Sequence, residues 1–178
     1  MDAVAAQAKI SKHTLYAQYP SKDALFAAVV RDWVDQGHDA LAPHAGALLD
    51  TDDLEAALRR LASVLQAGIL SEPVLKMRAL VAAEADTHPA VAADYVRRSW
   101  DRNVSLLADT LATMTGQGRL AADDPNTAAE QFVWLVVGAP LNRLDLTAAS
   151  HGYSPRHLTR TAEEGIRTFL SRYQRTDS

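Results

Sequence analysis

The spacing of the apolar residues is the feature that most limits what this chain can fold into. Ala, Leu, Arg, Glu and Gln are abundant, and the apolar-polar alternation typical of β-strands is absent. Two segments carry apolar side chains three or four residues apart, as one face of a helix requires: Leu54, Leu58, Leu61 and Leu65, and Val104, Leu107, Leu111 and Met114. The sequence therefore predicts an all-α protein in which each of these faces needs a packing partner.

Prolines and capping residues divide the chain into helices. Asp124 and Ser154 each precede a proline, which marks a start because proline fits the first helical position and the preceding side chain caps free amides. Ser21 marks another start in the same way. The pattern predicts two short helices before Pro20 and six longer ones near residues 22 to 41, 52 to 70, 73 to 87, 89 to 115, 125 to 144 and 155 to 173.

Composition narrows the function classes. The chain has 178 residues, 48% of them hydrophobic, which is enough for one compact domain with a small appended one. It has no cysteine, which excludes disulfides and thiol chemistry. A formal net charge of −4 argues against general polyanion binding. The longest apolar run, residues 132–140, is far shorter than the ~20 residues of a membrane span, so we expect a cytoplasmic protein with no membrane partner.

The first 22 residues depart from this acidic balance, because they hold three lysines and one acid. The stretch VAAQAKISKHTLYAQYPSKDALF predicts two short helices joined by residues 9–11, with Ser11 as the N-cap of the second. The predicted inner faces consist of Val4, Ala5, Ala8, Ile10, Leu15 and Tyr19. The outer face of the second helix is cationic, hydrogen-bonding and aromatic, which is typical of a helix that reads the major groove.

In such a helix-turn-helix, the first turn of the second helix meets base edges, and residues at its margins contact phosphates. Lys12 is suited to guanine and Gln18 to adenine. The candidate DNA contacts are Ser11, Lys12, His13, Thr14, Tyr16, Gln18, Tyr19 and Lys22. The alternative reading of this face is an ordinary solvated helix surface.

The opening stretch resembles the DNA-binding segment of the TetR/AcrR family of bacterial transcriptional regulators. That segment has Ile/Val-Ala, a short turn and then S-K-x-T-L-Y-x-Y-F-x-S-K-x-x-L. The matching positions are Val4, Ala5, Ser11, Lys12, Thr14, Leu15, Tyr16, Pro20, Ser21, Lys22, Leu25 and Phe26. Lys9 stands where the family usually has glycine; if the turn needs a positive φ, this lysine costs about 1 kcal/mol. Tyr19 and Gln18 also depart from the usual residues, so operator preference does not carry over.

The family also implies a complete helix before these two, which this chain does not contain. That helix normally packs on the other two and helps to seat them on the DNA backbone. We therefore expect the chain as given to bind DNA weakly at physiological salt and a form extended upstream to bind tightly. A misplaced start and a natural truncation both fit this pattern.

The later helices resemble the regulatory domain of the same family. The segments LVAAEADTHPAVAADYV and GRLAADDPNTAAEQFVWLVVG are similar to its AefR-like subgroup. This resemblance implies a helix-turn-helix domain with linking helix over residues 1–42, lacking its first helix, and a six-helix ligand-binding and dimerisation domain over residues 43–178.

The helix from Pro125 is apolar on all sides, so one side is expected to meet the protein's own core and the other a second subunit, together with the final helix. A two-fold homodimer would present its two reading helices to successive major grooves ~34 Å apart. The candidate dimerisation residues are Phe132, Val136, Ile166, Phe169, Leu170 and Tyr173.

The central helices carry apolar and aromatic residues with few polar groups, as a pocket for a small hydrophobic effector requires. The candidate ligand contacts are Met77, Leu80, Glu84, Trp100, Leu107 and Leu111. Ordinary core packing explains the same residues equally well.

The resemblance implies a ligand-responsive regulator, most simply a repressor, that binds a palindromic double-stranded operator as a homodimer and is released by a small effector. The rival hypothesis is a dimeric helical ligand-binding or interaction module that has lost DNA binding. An enzyme is not indicated: the histidines lack HExxH spacing, and Gly116 and Gly118 lack the third glycine of a dinucleotide fingerprint. We expect no metal and no cofactor.

Overall fold

The computed structural model describes residues 1–36, 40–147 and 152–175, and these residues form helices with no strand. A π-helical segment, Arg97–Asp101, joins two of the α-helices into one continuous rod. The α-helices are α1 (Asp2–Gln7), α2 (Lys12–Gln18), α3 (Lys22–Gln36), α4 (Ala42–Gly46), α5 (Leu54–Ile69), α6 (Glu72–Glu84), α7 (Pro89–Val96), α8 (Arg102–Gly116), α9 (Pro125–Leu146) and α10 (Pro155–Tyr173). The all-α prediction is confirmed.

Ser11, Asp124 and Ser154, which the sequence predicted as caps, each accept hydrogen bonds from the first turn of a helix. The Ser11 hydroxyl accepts a hydrogen bond from the Thr14 amide at 3.0 Å, and Asp124 and Ser154 cap α9 and α10 in the same manner. The sequence did not predict the short α4, which begins after the non-helical Ala40 and Leu41, where the third helix was expected to end. It also did not predict the π-helical segment inside the helix expected over residues 89 to 115.

Four helices, α5, α8, α9 and α10, enclose the main core. The leucine face of α5 and the apolar face of α8 meet the inner faces of α9 and α10, and the Phe132 and Phe169 rings meet edge to face at 5.2 Å. Burying each of these large side chains contributes about 1.5–3 kcal/mol. The largest fully buried side chains are Phe132, Phe169, Leu48, Leu58, Leu61, Leu107, Leu111, Met114, Leu141, Ile166, Val136 and Val137.

Glycine allows α9 and α10 to pack closely. A methyl group added at Gly165 would lie 3.0 Å from the Leu135 carbonyl oxygen, which is closer than most carbon-oxygen contacts allow. A larger residue would therefore require the two helix backbones to move apart by a few tenths of an ångström. The contact fixes which face of α10 is turned toward α9.

A proline inside α9 is accommodated by a side chain from another helix. Pro140 has no amide hydrogen, so it cannot bond the Val136 carbonyl four residues earlier. Gln66 of α5, which is 7% exposed, donates from Nε2 to that carbonyl at 2.9 Å and to the Leu158 carbonyl at 2.9 Å. This buried amide therefore ties α5 to both α9 and α10.

The core corrects the predicted dimerisation residues. Phe132, Val136, Ile166, Phe169 and Tyr173 are each at most 6% exposed within a single chain, because these stripes face α5 and α8 of the same protein. They therefore cannot supply the surface on which a second copy would rest. Leu170 is partly buried, and the exposed apolar side chains of α9 are Trp134 and Leu146 instead.

A second, smaller cluster attaches α3 to the rest of the molecule. Val30 packs against Met77 of α6 and Val81, with the Trp33 and Tyr95 rings beside them. Because α3 follows α2 after only three residues, this cluster connects the opening helices to the helical bundle.

Candidate DNA-binding surface and ligand cavity

The turn between α1 and α2 contains one residue in the left-handed conformation. Lys9 has φ of 55°, in the left-handed region that favours glycine. Its amide bonds the Ala6 carbonyl at 3.2 Å, and the Ile10 amide bonds the Ala5 carbonyl at 3.1 Å, which together form a Schellman motif at the end of α1. Lys9 therefore has the positive φ at which a lysine is strained relative to glycine.

Helix α2 turns nearly all of its surface to solvent. Leu15 is 3% exposed and holds α2 against α1, while Ser11 and the other candidate DNA contacts from Lys12 to Gln18 are exposed. Lys22, at the first turn of α3, is exposed as well, and Tyr19 is half-buried. The structure therefore brings the candidate DNA contacts together on one short helix and its C-terminal flank.

The inner face is smaller than the sequence indicated. Ala5 and Leu15 are buried, but Val4 is 44% exposed, Ile10 is 41% exposed, and Ala8 is exposed as well. The reason is that α1 and α2 are short and meet mainly through the one pair of buried residues. Val4 and Ile10 thus add apolar surface to the opening segment.

Lys12 is held by an acid of the preceding helix. Its Nζ lies 2.8 Å from one Asp2 carboxylate oxygen and 3.0 Å from the other. The hydrogen bond and the charge attraction raise the pKa of Lys12 and lower the pKa of Asp2. Both side chains are exposed, so a phosphate or base edge can compete with Asp2 for the lysine.

A cavity of about 280 Å³ lies between α3, α5, α6 and the rod formed by α7, the π-helical segment and α8. We call it the central cavity. Its walls are mostly apolar, and its polar side chains come from α6 and the rod. It is lined by Trp33, Val34, Ala40, Leu41, Val64, Leu65, Gly68, Ile69, Val74, Arg78, Tyr95, Val96, Arg98, Ser99, Trp100, Arg102, Asn103, Val104 and Val133.

Of the predicted ligand contacts, Trp100 lines the central cavity. Leu107 and Leu111 are 1% and 0% exposed in the main core, so their assignment as ligand contacts is corrected. Met77 and Leu80 border a separate open depression on the surface, and Glu84 is paired with His88 at 3.7 Å. These residues are not brought together with Trp100.

The π-helical segment accounts for some of the cavity residues that were not predicted, such as Arg98 and Ser99. A wider turn within an α-helix shifts the face that the following residues present, so an uninterrupted helical period fails there, and such segments are frequent at functional sites. The usable signal was compositional: YVRRSWDRN places Tyr95 and Trp100 among the arginines Arg97, Arg98 and Arg102.

Two ion pairs join the cavity wall to neighbouring helices. Arg98 bonds Asp35 of α3 at 2.9 Å, and Arg78 of α6 bonds Asp145 of α9 at 3.0 Å. Burial raises the pKa of the Tyr95 hydroxyl, an effect that Arg78 opposes. Tyr95 therefore keeps its proton at neutral pH and is a hydrogen-bond donor in the wall.

The part of the chain that the structure describes has neither a metal-binding cluster nor a membrane-spanning helix. No three His, Asp or Glu side chains there are grouped as a metal ion requires. Within the same residues, no helix has both the length and the apolar character needed to cross a bilayer.

The fold and the exposed α2 define a helix-turn-helix DNA-binding regulator. A family model described as the AefR-like transcriptional repressor C-terminal domain matches residues 56–175, and a model of the tetR family of bacterial regulatory proteins matches residues 1–29. The first match spans more than half of the chain. The chain belongs to the TetR family of transcriptional regulators.

Solved structures of TetR-family regulators are similar over most of the chain. One, from Mesorhizobium loti MAFF303099, is 28% identical with a TM-score of 0.90, over 97% of this chain and 85% of that one. The flavonoid-responsive regulator FrrA is 27% identical with a TM-score of 0.74, over 99% and 87%. A regulator from Pseudomonas syringae pv. tomato DC3000, 22% identical with a TM-score of 0.69 over 99% and 86%, shares the fold. The comparison with curated proteins gave no significant match.

Proposed function

We propose that this protein is a ligand-responsive repressor. It binds a palindromic operator as a homodimer in the cytoplasm, and a small molecule in the central cavity releases it from DNA. The observation that carries the proposal is the position of α3, which begins three residues after α2 ends and lines the central cavity with Trp33 and Val34.

DNA binding is proposed for the exposed face of α2. Lys12, His13 and Gln18 are the candidates for base edges, because they are exposed near the start or along the outer face of α2. Ser11, Thr14, Tyr16, Tyr19 and Lys22 are the candidates for phosphates. The left-handed turn at Lys9 sets the angle between α1 and α2 and so aims this face.

The release mechanism is proposed to act through α3. Arg98 in the cavity wall is paired with Asp35 of α3 at 2.9 Å, and Arg31 of α3 lies 3.9 Å from Asp94 of α7. A ligand that displaces the cavity end of α3 therefore also displaces α2. A two-fold dimer needs a fixed distance between its two reading helices, so this movement lowers operator affinity.

Dimerisation is proposed for the solvent faces of α9 and α10. Trp134 is 51% exposed, and its ring lies 5.4 Å from that of Trp100, so an aromatic patch remains uncovered on one chain. Gly138 leaves room for the Trp134 ring, because a methyl group there would lie 2.6 Å from it. Aromatic residues of this kind are enriched where subunits meet.

The proposal is tested by operator selection. The full chain is used to select binding sites from a random-sequence duplex DNA library at low salt, because weak binding is expected at physiological salt, and the affinity for the selected site is measured by mobility shift at the same salt. We expect an inverted repeat, and we expect Lys12→Ala to weaken binding about tenfold, consistent with loss of a base contact. Asp2→Asn frees Lys12 and is expected to strengthen binding roughly two- to fivefold.

Lys76→Ala is the matched control. Lys76 is an exposed lysine on α6 that is paired with Glu72 at 2.6 Å, as Lys12 is paired with Asp2, but it lies outside the opening helices. It should leave operator affinity within twofold of the unaltered chain. The proposed DNA-binding surface would be contradicted if the selection enriched no DNA sequence. It would also be contradicted if the Lys12 and Lys76 variants lost operator affinity equally.

A further inference from the structure

The charged side chains that line the central cavity are all cationic. Arg78, Arg98 and Arg102 line it, and no aspartate or glutamate is among the lining residues that the structure describes. The rest of the wall is mainly aliphatic and aromatic. A neutral hydrocarbon ligand could not form an ion pair with these arginines, whereas a ligand with an anionic end could.

Arg98 and Arg78 differ in how their charge is already used. Arg98 bonds Asp35 at 2.9 Å and lies 4.0 Å from Asp94, so two carboxylates share it. Arg78 bonds one carboxylate, Asp145, at 3.0 Å through its Nη2 atom. Arg78 therefore has more N–H donors available for a ligand than Arg98 has.

One further donor of Arg78, its Nε, is buried. Among the described residues, Arg78 Nε is the one buried side-chain nitrogen or oxygen without a hydrogen-bond partner. Buried polar groups in folded proteins nearly always have a partner, and a charged donor is the most costly to leave without one. Because Arg78 lines the central cavity, a turn of its side chain would bring this closed-off nitrogen to an acceptor placed in the cavity.

Tyr95 adds a second donor beside Arg78. It lines the same cavity, where burial raises the pKa of its hydroxyl, the Arg78 charge lowers that pKa and the Asp145 charge raises it. Because burial raises that pKa, the hydroxyl stays protonated at neutral pH and can donate. A cation and a neutral donor together suit a carboxylate, which accepts several hydrogen bonds.

We infer that the effector of this regulator is an amphipathic carboxylate. Its apolar body lies among Trp33, Ile69 and Val133, and its carboxylate accepts hydrogen bonds from Arg78 and Tyr95. The volume of about 280 Å³ is roughly twice the ~150 Å³ that accommodates a benzene ring, so a body of about two rings fits. This inference rests on the proposed function only in calling the ligand an effector; the binding itself is independent of DNA.

The inference is tested with a charged and a neutral probe of the same shape. Naphthalene-2-carboxylate and naphthalene-2-carboxamide are titrated into the full chain without DNA, and the tryptophan fluorescence is followed, since Trp33 and Trp100 line the cavity. We expect the carboxylate to bind at least tenfold more tightly. A ratio within twofold, a preference for the carboxamide, or no binding of either probe at millimolar concentration would overturn the inference.

Substitutions locate the charge preference. Arg78→Gln is expected to reduce the ratio to below about threefold, whereas Arg59→Gln, at an exposed arginine paired with Glu55, leaves it unchanged. Circular dichroism checks that both variants are folded. If Arg78→Gln does not fold, Tyr95→Phe takes its place, with an expected loss of at least threefold for the carboxylate and less for the carboxamide. Equal losses for both probes would overturn the inference.

The two proposals fail in different ways. A chain that prefers the carboxylate but selects no DNA sequence would remove the repressor function and keep the ligand class. A chain that binds an operator and is released equally well by both probes would keep the repressor function and remove the ligand class.

Discussion

Lys9 shows how one residue position is set by backbone geometry rather than by side-chain contacts. It occupies the position after the end of α1 where a left-handed conformation closes the Schellman motif, and its φ is 55°. The resemblance identified the position, because related proteins usually have glycine there. The sign of φ itself needed the structure.

We expect Lys9→Gly to stabilise the protein by about 1 kcal/mol, because glycine adopts this conformation without a Cβ clash. Urea denaturation monitored by circular dichroism measures the change. Ala8→Gly is the matched control: Ala8 has φ of −77° at the preceding position, so glycine there is expected to give no stabilisation. Equal effects of the two substitutions would contradict strain at Lys9.

Side-chain burial separates what the sequence could predict from what it could not. The periodicity of α5 and α8 correctly predicted buried faces, since Leu58 and Leu111 are both fully buried. The same type of pattern on α9 was ambiguous, because an all-apolar helix does not indicate which side meets its own core. Trp134 is exposed whereas its neighbour Val133 is buried, and the sequence pattern did not distinguish the two.

At the scale of helices, capping residues predicted where helices begin, but the sequence did not predict where a helix departs from regular α-helical geometry. Proline and serine or aspartate starts predicted α9 and α10, because caps act locally. The π-helical segment at Arg97–Asp101 has no side-chain cap to mark its start, so no equivalent local signal predicts it. Trp100 was the one predicted ligand contact that lines the central cavity, and the other lining residues were not predicted.

The link between Gln66 and Pro140 gives a prediction for α9. Gln66→Leu leaves the Val136 carbonyl buried without a donor, and we expect it to cost about 2 kcal/mol of unfolding free energy. With Pro140→Ala, an amide hydrogen becomes available four residues after Val136, so the cost of Gln66→Leu should be smaller by at least about 1 kcal/mol. Chemical denaturation of the four proteins in this double-mutant cycle measures the coupling. Additive effects would show that Gln66 does not replace the missing bond.

For the whole molecule, the proposed dimer predicts a surface with one exposed aromatic anchor. We expect the full chain to sediment as a dimer at micromolar concentration and Trp134→Asp to sediment as a monomer, because a carboxylate at that position would be buried without a partner. Leu80→Asp, at an exposed apolar residue on α6, should remain dimeric. A monomeric unaltered chain, or a dimeric Trp134 variant, would contradict the proposed interface.

The family and fold were accessible from the sequence because the opening motif is local and its residues stand at fixed spacing. The resemblance also implied that a helix links the two parts. The position of its far end in the cavity wall was not predicted, since it depends on how α3 lies against α6, α7 and the π-helical segment. This placement of α3 is the central physical claim: one helix starts beside the reading helix and ends in the cavity wall.

The most direct measurement of this claim is the operator affinity of a chain whose cavity is filled by its own side chain. Gly68 lines the central cavity with open space at its Cβ, so Gly68→Leu occupies part of the volume that a ligand would take. Coupled sites usually influence each other by 5- to 150-fold, and we expect about a tenfold loss of operator affinity in a mobility-shift assay. Gly116→Leu, at a glycine with equal space outside the cavity, should leave the affinity unchanged. Unchanged operator affinity of a folded Gly68→Leu protein would contradict the account.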